Sequence, residues 1–596
     1  MYQLTDKETK DWEIAKILFP YPQMKVPQEK IIRSIISSSN PLLVSSHTGV
    51  GKTAAVMTAY LAIKKPTERI VVFVRTKAQI NVFLRELSSI HKQIVRHWNI
   101  LEDHFSNFPV FLPFLGKNEL CLKAKKEYPG EMYTHICNLT RCPLKAKTQR
   151  VKREDLLNSV RELYHSFSHV ISREDLYSNL NTKNYCPYFY SYYLMQKADV
   201  IITSYPFLEN QALFARLFYS IDTTIPKILA LVDEAHNLYK PINQEISRTS
   251  IENALEELPN KAFSNLLELF ESKQVMESSF NELEIKRLEE DLFSLLQSQI
   301  VYKKSMAFNA YLAYHFLKSA QNRKLISDGK KLSIVNTRSS EILENISNAK
   351  RLTLMSGSFE PVRSYQRIFQ LPKSRRLRVL PPKEEIQSRY FVVVNQKLNA
   401  KFDNRTPDYY ILVSSTIRNL FDEIPGHTLV FVPSYSYIEK LLETDVLSPD
   451  IVESPGQDIT TLQAIIVSSE EKKLIICVTG GKIAEGIEFT AAGKSLIKGI
   501  IITALPFPPP SEENRIIYED LANQFDPKLA RDFSLIIPML QRLSQSFGRA
   551  IRNKGDKAVH ILLDPRGTKY TREFNFERHT SIKNLKEKIR MFFTRV

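Results

Sequence analysis

Residues 41–65, PLLVSSHTGVGKTAAVMTAYLAIKK, run an apolar strand into a glycine turn and then into a helix, the context that a phosphate-binding loop requires. Thr48, Gly49, Val50 and Gly51 form the turn, and the two glycines let backbone N–H groups approach nucleotide phosphates. Lys52 supplies a cation to those phosphates, and the Thr53 hydroxyl suits magnesium. Ser46 and His47 occupy the start of the loop.

Downstream, KILALVDEAHNL places a second apolar strand before Asp233, Glu234, Ala235 and His236. Asp233 at a strand end suits magnesium held through water, Glu234 suits orienting and deprotonating an attacking water, and His236 suits linking hydrolysis to a nucleic-acid side. An acidic pair after a strand is common; one that follows GVGKT in this order is not. Upstream, Gln28 stands where many helicases carry an adenine-sensing glutamine, although taken alone it reads as an exposed residue at a helix start.

Further apolar runs, TLVFVPSYSYIEKLL, KLIICVTGGKIAEGIEF, KGIIITALPFP and KAVHILLDPR, alternate with helical stretches and predict a second doubly wound parallel sheet. No second GKT accompanies it. Instead LQRLSQSFGRAIRNKG carries Gln545, Arg549 and Arg552, and the two arginines, three apart, are expected on one face of a helix as fingers for the transferring phosphoryl group.

A chain of 596 residues exceeds what one core supports, so several domains are expected. Lys and Arg number 82 against 65 Asp and Glu, an excess of +17 that favours a polyanionic partner. No run approaches the roughly 18 apolar residues of a membrane span, and the polar start is unlike a signal peptide, so a cytoplasmic, nucleoid-associated location is expected if the source is prokaryotic. Five cysteines are too few for a disulfide framework. Four of them, Cys121, Cys137, Cys142 and Cys186, fall in one segment and suit either an iron–sulfur cluster or a tetrahedral zinc; their spacing does not decide. Lys117, Lys123, Lys125, Lys126, Arg141, Lys145 and Lys147 surround them and should resist burial. Tyr188, Phe189, Tyr190, Tyr192 and Tyr193 divide evenly between core and DNA contact. Cys477, inside KLIICVTG, reads as a core residue.

These motifs resemble superfamily 2 helicases and, more narrowly, the XPD family of 5′-to-3′ DNA helicases, including related DinG-like enzymes. SSHTGVGKT is similar to motif I, FVRTKAQ with Arg75, Thr76 and Gln79 to motif Ia, LVDEAH to motif II and LMSGSFEP to motif III. VFVPSY around Ser434 and Tyr435 is similar to motif IV, GGKIAEGIEF with Gly486 and Glu488 to motif V, and QSFGRAIR to motif VI; ADVIITSYPFL with Tyr205 resembles the strand before the DEAH box. Glu488 stands for the usual aspartate, Ser358 for threonine, and Ser46-His47 for Ala-Pro.

The resemblance implies an α/β protein with two RecA-like motor domains, a cysteine-rich cluster domain and a helical arch. It places motor domain 1 at 1–100, 196–245 and 336–388, the cluster domain at 101–195, the arch at 246–335 and motor domain 2 at 389–596. It implies ATP and Mg2+, with Gln28, Gly486 and Glu488 on the nucleotide side, and a [4Fe–4S] cluster on Cys121, Cys137, Cys142 and Cys186, whose last member precedes Pro-Tyr as in the family. Arg75, Thr76, Gln79, Tyr205, Ser434 and Tyr435 would contact DNA. A monomer is expected, acting on single-stranded and forked DNA in repair, with protein partners on the arch. The alternative is an ATP-driven translocase that remodels protein–DNA complexes without unwinding.

Overall fold

The computed structural model describes residues 5–46, 50–121, 130–140, 142–166, 170–172, 174, 184–271, 276–277, 280–302, 306–337, 343–357, 359–380, 387–394, 398–454, 459–481, 483, 489–491, 494–551 and 555–594. The chain divides into two compact units, residues 1–380 with 519–524, and residues 381–518 with 525–596.

In the first unit, β1 (Leu42–Ser46), β2 (Arg69–Val74), β3 (Phe111–Pro113), β4 (Val200–Ser204) and β5 (Ile228–Asp233) precede an insertion. The insertion carries β6 (Ile242–Ser247), β7 (Met276–Glu277), β8 (Lys324–Ser327) and β9 (Lys331–Val335); β10 (Arg351–Ser356) and β11 (Arg375–Val379) follow. Seven of these form one all-parallel sheet in the order β11-β1-β10-β5-β2-β4-β3. Residues of β1 and β5 are buried throughout, as expected for strands covered on both faces.

The insertion differs from the helical reading. Its helices, Arg248–Glu257, Lys261–Glu268, Glu282–Val301 and Phe308–Ala320, pack against a four-stranded antiparallel sheet, β6-β9-β8-β7. The hairpin between β8 and β9 turns at Asp328-Gly329, where Gly329 takes φ +83° and the Asp328 carboxylate accepts the Lys330 and Lys331 N–H groups. KLISDGKKLSIV therefore held a readable Asp-Gly hairpin signal that the surrounding helical periodicity masked. Met132, from the cysteine segment, packs into the core of this insertion.

The second unit holds β12 (Arg389–Val394), β13 (His427–Val432), β14 (Ile451–Val452), β15 (Leu474–Val478), β16 (Thr490–Ala491), β17 (Lys494–Ser495), β18 (Ile497–Ile502), β19 (Ala558–Leu562) and β20 (Glu577–His579). Seven form another all-parallel sheet, β14-β15-β13-β18-β19-β12-β20, and β16 pairs with β17 alone. Along β13, Val430 and Val432 enter one core while Leu429 and Phe431 enter the other; on β15, Leu474 and Ile476 oppose Ile475 and Cys477 in the same way. Strict alternation into two apolar layers explains why these runs are hydrophobic at nearly every position. Cys477 is fully buried within one of the layers.

One core side chain is out of keeping. His560 on β19 is buried, stacks on Phe391 at 4.5 Å between ring centroids, and has no hydrogen-bond partner for either ring nitrogen among the described residues. Burial, with the nearby Arg389 charge, lowers its pKa to about 3. The folded chain keeps this ring neutral while the unfolded chain protonates it near its ordinary value, so stability is intact above about pH 6.5 and falls as the pH drops toward 3. We expect His560→Phe to raise the thermal midpoint at neutral pH, by a gain of about 1 kcal/mol, and to flatten the loss between pH 6.5 and 5, as read by calorimetry.

Candidate active site

In a parallel sheet every strand ends on the same edge, and here the ends of β1, β10, β5, β2 and β4 lie side by side. They deliver, in that order, Ser46, Ser356, Asp233, Arg75 and Tyr205.

Beyond β1, Gly51 caps the helix Lys52–Ile63 in the left-handed region at φ +80°. The left-handed turn requires glycine here, and a Cβ would also fall 2.3 Å from Gln28 Nε2, displacing that amide. Gln28 is 4% exposed, which corrects the expectation of a surface residue; its Oε1 accepts the Lys25 backbone N–H at 2.9 Å, and its amide lies beside the loop. Thr48 and Gly49 lie outside the described residues, while Val50 is buried and Thr53 half-buried at the start of the helix.

The Lys52 ammonium donates to the Ser46 carbonyl at 3.3 Å and stands 3.6 Å from Glu234 Oε1. The other oxygen, Oε2, accepts from Ser356 Oγ at 3.3 Å and from the Gly357 N–H at 3.4 Å, and His236 Nδ1 lies 3.3 Å away. His236 Nδ1 also meets Ser356 Oγ at 2.6 Å. Glu234 adopts φ +51°, a strained conformation for a residue with a Cβ, and Asn237 steadies it by donating its backbone and side-chain N–H groups to the Glu234 carbonyl.

Asp233 is 7% exposed at the end of β5. Gln79 Nε2 donates to its Oδ2 at 3.2 Å, and Tyr205 donates to its backbone carbonyl at 2.5 Å. Burial and the adjacent Glu234 charge push the Asp233 carboxyl up to about 7, against the pull of Lys52. Burial would also raise Glu234, but the His236 hydrogen bond and Lys52 overcome it and bring its pKa down to about 2. The pair is thus differentiated, one carboxylate fixed and the other titrating near neutrality.

Two expected DNA contacts are corrected. Tyr205 is 2% exposed, with its hydroxyl engaged beneath Asp233, so it has no face for a base. Gln79 accepts the Thr76 N–H with Oε1 and spends its amide on Asp233. Arg75 and Thr76 are exposed; Arg75 donates to Asn237 Oδ1 at 3.0 Å, and Thr76 caps the helix Lys77–Arg96.

In the second unit, Ser434 caps the helix Tyr435–Leu442 and Tyr435 is exposed. Gln545 lies on the exposed side of the helix Ile537–Phe547. That helix ends at Phe547 with Gly548 as its cap, so Arg549 sits in the following turn and not on the helix; a Cβ at Gly548 would press the Ser544 carbonyl. Arg552, Gly486 and Glu488 lie outside the described residues.

The cysteine segment gathers its thiols without drawing them to one point. Among the described residues no three His, Cys, Asp or Glu side chains are grouped as ligands of a single ion. Cys142 and Cys186 each cap a helix whose first residue is proline, Pro143–Arg150 and Pro187–Met195, where the dipole favours thiolate. Burial raises the Cys186 and Cys137 thiols, with the charges of the neighbouring cysteines adding to it; backbone N–H groups of Phe189 and Tyr188 oppose the rise at Cys186, and Lys117 and Lys145 at Cys137. Tyr133 donates to Cys121 Sγ at 2.8 Å, and Thr148 accepts the Cys186 N–H at 2.8 Å. Lys117, expected at the surface, is 7% exposed, its ammonium 5.3 Å from the Tyr188 ring centre and 5.6 Å from that of Phe189, so cation–π attraction replaces part of its hydration. Lys123, Lys125, Lys126 and Arg141 lie outside the described residues. Tyr188 and Tyr190 are core residues, whereas Phe189, Tyr192 and Tyr193 are half-buried.

Two parallel sheets, one bearing a glycine-loop lysine opposite a DEAH carboxylate, define a nucleotide-driven motor of the helicase class. A family model described as DEAD_2 matches residues 72–255 and one described as Helicase C-terminal domain matches 417–579. The chain is 28% identical over 573 residues to the ATP-dependent DNA helicase XPD of Sulfolobus acidocaldarius, covering 90% of this chain and 95% of that one. It is 23% identical to the ATP-dependent DNA helicase CHL1 of Debaryomyces hansenii, over 83% of this chain and 71% of the relative. A solved structure, "XPD_Helicase", superposes with a TM-score of 0.65 at 22% identity, covering 98% of this chain and 100% of that one. The chain belongs to the XPD-like ATP-dependent DNA helicases.

Two outcomes follow from the geometry. Ser356→Ala removes the hydroxyl that bridges His236 and Glu234 Oε2, and ATP turnover should fall about tenfold with little change in nucleotide affinity, measured by coupled-enzyme kinetics and equilibrium binding. Because Asp233 titrates near 7, its protonated form predominates below that pH and its affinity for magnesium drops. With Asp233 on magnesium, as its motif implies, the Mg2+ concentration giving half-maximal hydrolysis should rise about fivefold from pH 7 to pH 6.

Proposed function

We propose that ATP rests on the loop before Lys52, with Lys52 on its phosphates, Thr53 and Asp233 on magnesium, and Glu234 as the group that aligns and deprotonates the attacking water. The observation that supports this most is the Glu234 carboxylate itself: one oxygen faces the Lys52 ammonium and the other is fixed by Ser356, Gly357 and His236. A carboxylate so held, kept ionised by its lowered pKa, is placed to align the attacking water and to take its proton only as the transition state makes that water acidic. Gln28 would meet the base of the nucleotide. Gly486 and Glu488 would lie on the nucleotide side, and Gln545, Arg549 and Arg552 would stabilise charge on the transferring phosphoryl group, as the family motifs imply. Arg75, Thr76, Ser434 and Tyr435 would line the single-strand path; Gln79 and Tyr205 serve Asp233 instead.

The four cysteines fit a [4Fe–4S] cluster. They form an all-sulfur donor set, two of them are presented at helix starts, and at Cys186 backbone N–H groups, at Cys137 the Lys117 and Lys145 cations, offset part of the rise that burial imposes. When bound, the cluster would tie four chain segments together. Around it, residues 101–195 would form the wedge module and 246–335 the arch, open to protein partners. We infer 5′-to-3′ translocation and a monomeric repair enzyme of the cytoplasm from the family resemblance.

Glu234→Gln should bind ATP normally yet turn it over at least about 100-fold more slowly. Cys186→Ser should lose iron and sulfide, together with most unwinding of a forked duplex, while keeping single-strand-stimulated ATPase. Stimulated ATPase without fork unwinding in the wild type would instead mark a remodelling translocase.

A further inference from the structure

A third feature of the first unit has no part in the nucleotide site. Between residues 360 and 378 the sequence carries six cations and one carboxylate, Glu360, so this short stretch holds five of the seventeen excess positive charges of the chain. Arg363 and Arg367 stand four apart on the exposed face of the helix Val362–Ile368. Lys373, Arg375, Arg376 and Arg378 lie exposed on and before β11, the last strand of its sheet. Gln366 binds the helix to the turn ahead of β11 through the Ser374 carbonyl and hydroxyl, so the two cationic elements form one surface. Glu360, the one carboxylate of this stretch, is matched by Arg378 at 3.3 Å and also accepts from Ser45.

We propose that this face is a second nucleic-acid site, resting on the DNA-helicase assignment, and that it holds the backbone of duplex DNA ahead of separation. Spacing supports phosphates as the target. Residues four apart on a helix are about 6 Å apart along its axis, and alternate residues on a strand are about 6.7 Å apart, both comparable to the separation of neighbouring phosphates on one strand. Chemistry selects duplex over single strand. Single-strand sites interleave cations with exposed rings that stack on bases, but the aromatic residues here, Phe359, Tyr365 and Phe369, are all buried. Only charge is presented, which suits a helix whose bases are already paired.

The test is fluorescence anisotropy, without nucleotide, on a blunt duplex and a single strand of equal length across a salt series, comparing wild type with the triple variant R363Q/K373Q/R376Q. We expect duplex affinity to drop tenfold or more, with the slope of log K against log salt shallower by about 2.7, while single-strand affinity and single-strand-stimulated ATPase stay within about twofold. Equal losses on both DNAs, or no loss on either, overturn the proposal. A wild type whose ATPase ignores single strands would instead fail the helicase assignment itself. Should the triple variant not fold, Arg376→Gln alone is expected to cut the duplex slope by about 0.9, and an unchanged slope overturns the proposal equally.

Discussion

Everything at the nucleotide site depends on the parallel alignment of one sheet. Because β1, β10 and β5 run side by side in the same direction, the residues that follow them come out on one edge within reach of each other. Lys52, Ser356 and Glu234 are far apart in sequence, yet the register sets Ser45 opposite Ser356 and Met355 opposite Asp233. The interstrand hydrogen bonds thereby fix where these side chains start, and the side-chain contacts adjust only the last few ångströms.

Glu234 shows how that edge is held tense. Its backbone is in the left-handed region, an arrangement that costs on the order of 1–3 kcal/mol. It survives because Asn237, Ser356, Gly357 and His236 all bind it from outside. Beneath, Tyr205 and Gln79 secure Asp233 from two other strand ends. Tyr205 leads directly into the helix Pro206–Glu209, whose Phe207 touches Phe114, which in turn touches Tyr188 and Tyr192 of the helix capped by Cys186. The backbone from Tyr205 to Phe207, followed by the packed rings of Phe207, Phe114, Tyr188 and Tyr192, thus joins the acidic pair to the cysteine segment.

Much of this could be read from local pattern. GVGKT and DEAH announce themselves because few chemistries need those residues in that order, and the second sheet showed in runs apolar at every position. What escaped had nonlocal or competing causes. Gln28 is buried because Gly51, distant in sequence, leaves room for its amide. Tyr205 seemed a surface group because nothing near it in sequence reveals that its hydroxyl meets the Asp233 carbonyl. The helix before GRAIR stops at Phe547, short of Arg549, and no local signal in QSFGRAIR marks that end, since Gly548 itself keeps a right-handed backbone. Lys117 is buried against composition-based expectation because two rings substitute for water.

The order of strands in the first sheet also governs how the chain can mature as it is made. Leu42 of β1 pairs with Thr353 and Arg375, more than three hundred positions later. At ribosomal rates that interval lasts about 15–60 s, during which β1 has neither of its neighbours. The apolar LLV of that strand must be shielded meanwhile, so this protein should lean on chaperones during synthesis far more than its finished form, closed on both sides of β1, would suggest.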